Sequence, residues 1–283
     1  RRLIGAWAMA LDGRRVIAFE RDTRADVYVS CQPHFNPFVP RALLATRSNA
    51  RYMHVVTDLR DVHAFHFTPV ADLVFVPNEE VRAQAMRHGL IPDRLAVAGY
   101  PIQPDFVSRL QAGPETRSAL GLAADTPVLL LMGGGEGMGE LYATAAELMR
   151  SSLRAQLIVV CGRNAALKAA LDALEASLPT RVLGFVDNVA ELMGASDIVI
   201  TKAGTGSLCE ALAAGLPIII YDAVPGQEDG NRDYMLDHGA AVFRPTHDGV
   251  LAQTADWLAD PRARARAGEA SWRVARPDAA LEI

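Results

Sequence analysis

The sequence predicts an α/β protein of two successive domains, each built on a parallel sheet. Three observations carry this prediction. Short β-branched and aliphatic runs alternate with helix-length segments along most of the chain, the pattern of repeated strand–helix–strand units. A stretch over 102–126 that holds Pro104, Gly113, Pro114 and Gly121 interrupts the alternation, which then restarts. Two strands run into glycine turns that open helices, at 133–139 and 204–207, and ligands of open α/β sheets bind at such strand ends. The boundaries read as a first domain over 1–104, a linker over 105–126, a second domain over 127–260 and a basic tail over 261–283.

In chain order, residues 1–10 read as the middle of a helix and lack an initiating Met, so the chain is expected to begin partway through a domain. A strand over 27–31 leads to 32–37, where Pro33 and Pro37 argue against regular structure. A helix over 39–46 and a strand over 52–57 follow. The next loop is polar and aromatic, with Asp58, His63, His66 and Phe67. A strand over 71–77, a helix over 79–88 closed by Gly89, and a strand over 95–101 complete the first half. Past a short helix over 115–120, strands are expected over 128–132, 157–161, 181–186, 198–201 and 217–221. Helices are expected over 140–150, 165–177, 189–195, from Leu208 to Gly215, and over 250–259, with an edge strand over 240–243.

Composition bounds the function. The chain has 283 residues, is 50% hydrophobic and carries a net charge of −5. That balance argues against a nucleic-acid binder working through bulk positive charge. Cys31, Cys161 and Cys209 lie far apart in or beside apolar segments, and read as reduced core residues of a cytosolic protein. No Cys/His spacing suggests zinc, and no apolar run approaches the ~18 residues of a membrane span.

The chemistry concentrates in the second half. Five glycines in the seven residues 133–139 exceed what a tight turn needs. They let a backbone approach phosphate at a helix start. The loop is neither a GxxxxGK[ST] phosphate loop nor a good dinucleotide fingerprint, since no acidic residue closes the next strand. Gly204, Thr205, Gly206 and Ser207 form a second such turn. Glu210 follows one turn later among Ala211, Leu212, Ala213 and Ala214. It is either an exposed helix glutamate or a buried carboxylate that wants a partner, for which two ribose hydroxyls are a good match. Gln227, Glu228, Asp229 and Asn231 are either a solvated loop or a set for sugar hydroxyls, which require groups that donate and accept. In the first half, Asp58, His63, His66 and His34 offer general-base chemistry, although each alone is more often a surface residue.

The run KAGTGSLCEALAAGLP over 202–217, followed by PGQEDGN over 225–231, resembles the donor-binding signature of GT-B glycosyltransferases. It is most similar to the monogalactosyldiacylglycerol synthase and diacylglycerol glucosyltransferase group, relatives of the peptidoglycan lipid-intermediate GlcNAc transferase. The acceptor-side segment from Thr57 through His63 to Phe67, and the segments 76–81 and 99–106, fit the same group. The resemblance implies two Rossmann-like domains separated by a cleft. It implies inverting transfer of galactose or glucose from a UDP-sugar to diacylglycerol, with no cofactor and no bound catalytic metal, at the inner, cytoplasmic face of the cell membrane. It places Gly134, Gly135, Glu136 and Gly137 on diphosphate, Gly204, Thr205 and Gly206 on phosphates and Glu210 on ribose. Gln227, Glu228 and Asn231 would face the donor sugar, and Asp58, His63 and Phe67 would lie on the acceptor side.

Two departures stand out. The group's amino-terminal glycine loop, with its proposed base, has no counterpart here, which leaves His63 and Asp58 as weak candidates for that role. Ala64 and His66 occupy positions where the group has proline and tryptophan. The arginines Arg262, Arg264, Arg266, Arg273 and Arg276 around Trp272 are either a solvated helix or a contact for an anionic membrane. Other readings are a UDP-sugar epimerase, a transferase to a non-lipid acceptor, or a donor-binding half that works with a partner chain.

Overall fold

The computed structural model describes residues 2–134 and 140–283, with residues 2–12 described by backbone alone. The chain divides into two compact units, Arg1–Tyr100 together with Ile283, and Pro101–Glu282.

The first unit opens with α1 (Arg2–Thr23) and β1 (Val27–Ser30). Then come α2 (Val39–Thr46), β2 (Arg51–Val55), β3 (Leu73–Val76), α3 (Glu79–Arg87) and β4 (Leu95–Val97). The strands pair in the order β1-β2-β3-β4, all parallel. Strand β3 stops at Pro77, which has no N–H to give the ladder. Alternation sorts the side chains: Tyr52, Val74, Val76 and Leu95 join Val81 and Ala85 of α3 in one core, while Val55, Phe75 and Ala98 bury on the other face. Asn78 caps α3 by accepting from the Val81 N–H, and Gly89 beyond its end has φ +89°, where a side chain would be strained.

Two expectations are corrected in this unit. Residues 32–37 are not wholly irregular. Pro33–Phe35 form one 3-10 turn, because a proline fits the first turn of a helix without a lost hydrogen bond. Cys31 is exposed rather than buried, because it lies one residue past the end of β1.

The second unit contains α4 (Phe106–Arg109) and α5 (Gly113–Ala119), which occupy the segment expected as a linker. Next are β5 (Val128–Met132), α6 (Leu141–Arg150), β6 (Gln156–Val160), α7 (Ala165–Asp172), β7 (Thr180–Leu183) and α8 (Val189–Gly194). The remainder is β8 (Ile198–Lys202), α9 (Thr205–Ala213), β9 (Ile218–Asp222), α10 (Asp229–Asp237), β10 (Val242–Phe243), α11 (His247–Ala259) and α12 (Pro261–Val274). The six strands run parallel in the order β10-β9-β8-β5-β6-β7. Leu129, Leu131, Leu157, Val159, Ile198, Ile200 and Ile219 are all 0% exposed and form the core with α6, α7 and α11. Each contributes about 1.5–3 kcal/mol by leaving water.

Residues 106–126 bind to this sheet through arginines. Arg109 forms a bidentate pair with Glu191 at 2.9 and 3.0 Å. Arg117 reaches Asp197 at 2.8 Å, and Asp197 also accepts from the Val128 N–H.

Three readings change in the second unit. Helix α7 ends at Asp172 instead of 177, because the Ser177 and Leu178 N–H groups turn to donate to the Met149 carbonyl. The polar loop over 225–231 is half helix, since α10 begins at Asp229. Its Asp-Gly-Asn opening has poor helix propensity, and tertiary bonds from Asn231 override it. The basic tail is a packed helix. Asp260 caps α12 by accepting from the Arg262 and Ala263 N–H groups, and Ser271 donates to the Ala240 carbonyl. A Cβ at Gly268 would stand 2.5 Å from the Gly215 carbonyl oxygen, so only glycine permits this crossing.

Candidate functional site

In the second unit, the strand order reverses about β5. From it the chain builds outward through β6 and β7, then returns to β8, β9 and β10 on the other side. Such a reversal leaves a crevice outside the carboxyl ends of the two strands where it occurs. The turns after β5 and β8 are the two glycine turns singled out in the sequence. Gly134 has φ +76°, and no atom of the described residues lies within 4 Å of where its Cβ would be. Gly135, Glu136 and Gly137 lie outside the described residues.

The turn after β8 feeds α9. Gly204 is its N-cap, and no side chain caps the helix. The first N–H groups, at Thr205, Gly206 and Ser207, have no intrahelical acceptor. They concentrate partial positive charge there. Thr205 accepts a 3.0 Å hydrogen bond from the amide of Asn231, which is 2% exposed and also donates to the Ala203 carbonyl at 3.4 Å. Asn231 thus fixes the turn from α10. Glu228 accepts from the Val224 N–H at 2.9 Å and lies 3.8 Å from the Lys202 ammonium. Gln227 is exposed beside them.

Glu210 sits in the second turn of α9, half-buried. It makes no hydrogen bond or ion pair among the described residues, and burial pushes its carboxyl up to about 7. A buried carboxylate without a donor is costly, and two hydroxyls would relieve it. The structure therefore gathers Gly204, Thr205, Gly206, Glu210, Glu228 and Asn231 around α9 and its approach. It adds Lys202, which the sequence reading passed over because it closes an apolar strand.

The loop expected on the acceptor side belongs to the first unit. His63 Nδ1 accepts from the Phe65 N–H at 3.3 Å and caps a 3-10 turn over Ala64–His66. Asn36 donates to the Phe65 carbonyl and accepts a short hydrogen bond from the Tyr52 hydroxyl. Phe67 is 6% exposed and stacks on His88 with centroids 5.0 Å apart, a core position. His66 is 4% exposed. Its Nδ1 shares a 2.9 Å hydrogen bond with Nε2 of His54, and its Nε2 lies 3.7 Å from Asp58. Burial pushes both His54 and His66 down to about 4, and the rings near each of them add repulsion: His66 beside His54, and His63 and His34 near His66. His54 was missed, because within a strand a polar residue at a buried position gives no local signal.

The first unit also holds an apolar cavity of about 500 Å³ between α1, α2 and β1, lined by Val16, Phe19, Tyr28, Val29, Phe35 and Leu43, with Cys31 on its wall.

Two family models match the chain. One described as monogalactosyldiacylglycerol (MGDG) synthase matches residues 8–102, and one described as the glycosyltransferase family 28 C-terminal domain matches 128–247. A probable monogalactosyldiacylglycerol synthase 3, chloroplastic, of Oryza sativa subsp. japonica is 36% identical over 95% of this chain and 55% of its own length. The chain thus spans about half the length of the curated relatives it matches. Among solved structures, a UDP-GlcNAc 2-epimerase from Neisseria meningitidis bound to UDP-GlcNAc superposes with a TM-score of 0.73 at 13% identity, covering 95% of this chain and 79% of that one. Acinetobacter baumannii MurG superposes with a TM-score of 0.64 at 16% identity, covering 95% and 75%. At such identities the structures establish the fold.

Proposed function

Since the chain belongs to the monogalactosyldiacylglycerol synthase family of GT-B glycosyltransferases, we propose that its protein transfers a hexose from a UDP-sugar to the free hydroxyl of diacylglycerol and inverts the anomeric centre. Galactose is the expected hexose, following the relatives' name, with glucose as the competitor. The observation that carries this reading is the start of α9, which no side chain caps among the described residues, with Glu210, which has no hydrogen bond or ion pair among them, one turn on. The first suits phosphate and the second suits ribose.

In this mechanism the acceptor oxygen bonds to the anomeric carbon as the bond from that carbon to the diphosphate breaks. The electron pair leaves with UDP, and the acceptor proton passes to a base. The N–H groups at Thr205, Gly206 and Ser207 meet the growing charge on the diphosphate, which removes the need for a bound metal. Asn231 keeps those groups in place by holding Thr205. Asp58 and His63 are two titratable groups on the acceptor-side loop, and the apolar cavity of the first unit suits an acyl chain. No helix among the described residues is long and apolar enough to cross a membrane. The exposed Arg262, Arg266, Arg273 and Trp272 on α12 suit peripheral contact with anionic headgroups, at the cytoplasmic face of the cell membrane.

The test is turnover of UDP-galactose and UDP-glucose by the full-length protein on vesicles containing diacylglycerol, with the lipid product identified. A β-linked hexosyl diacylglycerol is expected. UDP-sugar consumed without lipid product, or a sugar altered at one stereocentre, would replace this reading with epimerisation or a soluble acceptor.

A further inference from the structure

Lys202 is the last residue of β8, and the ladder slips there. Thr201 pairs with Ile220 but Lys202 pairs with Asp222, leaving Tyr221 over on β9. A bulge of this kind turns the strand and re-aims the side chain that follows. The Lys202 ammonium consequently lies 3.8 Å from Glu228 Oε1, at the start of α10, and the two side chains are only 11% and 14% exposed. That distance is an ion pair but not a hydrogen bond. Among the described residues, none of the three donor positions of Lys202 makes a hydrogen bond.

Glu228 is better satisfied. One oxygen accepts from the Val224 N–H at 2.9 Å. The other lies 3.7 Å from where a Cβ on Gly204 would be, so the carboxylate leans toward the uncapped N-terminus of α9. A negative group therefore already rests beside the place where an anion is most stable, and a mostly buried cation rests beside it. Composition adds a second observation. Of the 28 basic residues only Lys168 and Lys202 are lysines, and Lys168 sits in an exposed pair with Asp172. In a chain that otherwise uses arginine, the mostly buried position holds the compact ammonium that suits one phosphate oxygen, not the planar fork.

We propose that Lys202 receives the diphosphate of the donor, and that Glu228 holds it in reserve until the diphosphate arrives. This rests on the donor-site reading above. Binding moves Nζ from Glu228 to a phosphate oxygen. The carboxylate so released is free to accept from a hydroxyl of the hexose. When the sugar–phosphate bond breaks, the electron pair settles on the oxygen next to Lys202.

The experiment is calorimetric titration of the full chain with UDP and with uridine, for wild type, Lys202→Gln and Glu228→Gln, with thermal unfolding as a check on folding. Lys202→Gln is expected to weaken UDP roughly ten-fold, the effect of losing one charged hydrogen bond, and to leave uridine unchanged. Glu228→Gln keeps an acceptor for Val224 and frees the lysine, so UDP should bind several-fold tighter. Opposite signs identify the exchange. If both variants weaken UDP alike, or neither alters it, the pair is structural and the proposal falls. If Lys202→Gln does not fold, the sign for Glu228→Gln alone decides. If wild type binds neither UDP nor uridine, the donor-site reading fails first.

Discussion

A buried carboxylate with no partner among the described residues, as at Glu210, points to what it meets when loaded. Glu210→Ala should weaken UDP by roughly ten- to a hundred-fold, the cost of losing hydrogen bonds to a buried charged group, measured by calorimetry. Glu210→Gln should fall between, because its amide still accepts from one hydroxyl. Glu210 was legible in the sequence because its neighbours are apolar. Lys202 was not, because its importance comes from a one-residue slip against β9 that no local pattern records. His54 was hidden for a related reason: its partner His66 lies twelve residues away on a different element.

Elements show how packing outranks pattern. Most strands and helices of both units were visible as apolar runs and periodic segments. Helix α10 was not, because its opening residues favour turns, and it is tertiary contacts, among them those of Asn231 and Asp229, that anchor it. The packing of helix α12, which read as a solvated helix or a membrane contact, was not visible because its stripe is made of small residues, with Gly268 and Ser271 buried at its contact. Gly268→Val should lower stability by about 1–3 kcal/mol, since backbone must move to admit the side chain, whereas Arg266→Ala on the exposed side should stay within about 0.5 kcal/mol. Urea unfolding distinguishes these. The loop carrying His66 supplies a pH test. Both His54 and His66 sit near 4 in the folded protein against 6.5 unfolded. The unfolded chain then binds more protons between those values, so stability falls as pH drops from 6.5 toward 4. The loss is on the order of 3 kcal/mol for each histidine. His66→Phe should flatten that slope in a series of melts.

At the scale of the molecule, charge and topology separate the tasks. The parallel sheets and the two-unit division were readable from the restart of the strand–helix alternation after residue 126. The position of the strand reversal about β5 was not, because strand order is fixed by packing and not by local propensity. The net charge is −5, which repels an anionic bilayer, so any membrane contact must be local and salt-sensitive. Full-length protein should co-sediment with vesicles rich in anionic lipid at low salt and release at high salt. Replacing Arg262, Arg266 and Arg273 by glutamine should cost about 1 kcal/mol each near the surface, roughly a hundred-fold together. Retained binding by the triple variant would move the contact off α12.

The placement of the three thiols has a practical corollary. Burial raises Cys161 to about 11 and lifts Cys209 well above the usual thiol range, while Cys31 stands exposed on the wall of the apolar cavity. A thiol-reactive dye at neutral pH should attach at one position without any engineered cysteine. If that dye is solvatochromic, a change in its emission colour on adding lipid becomes an optical test of whether an acyl tail enters the cavity beside it, read in real time and independently of catalysis.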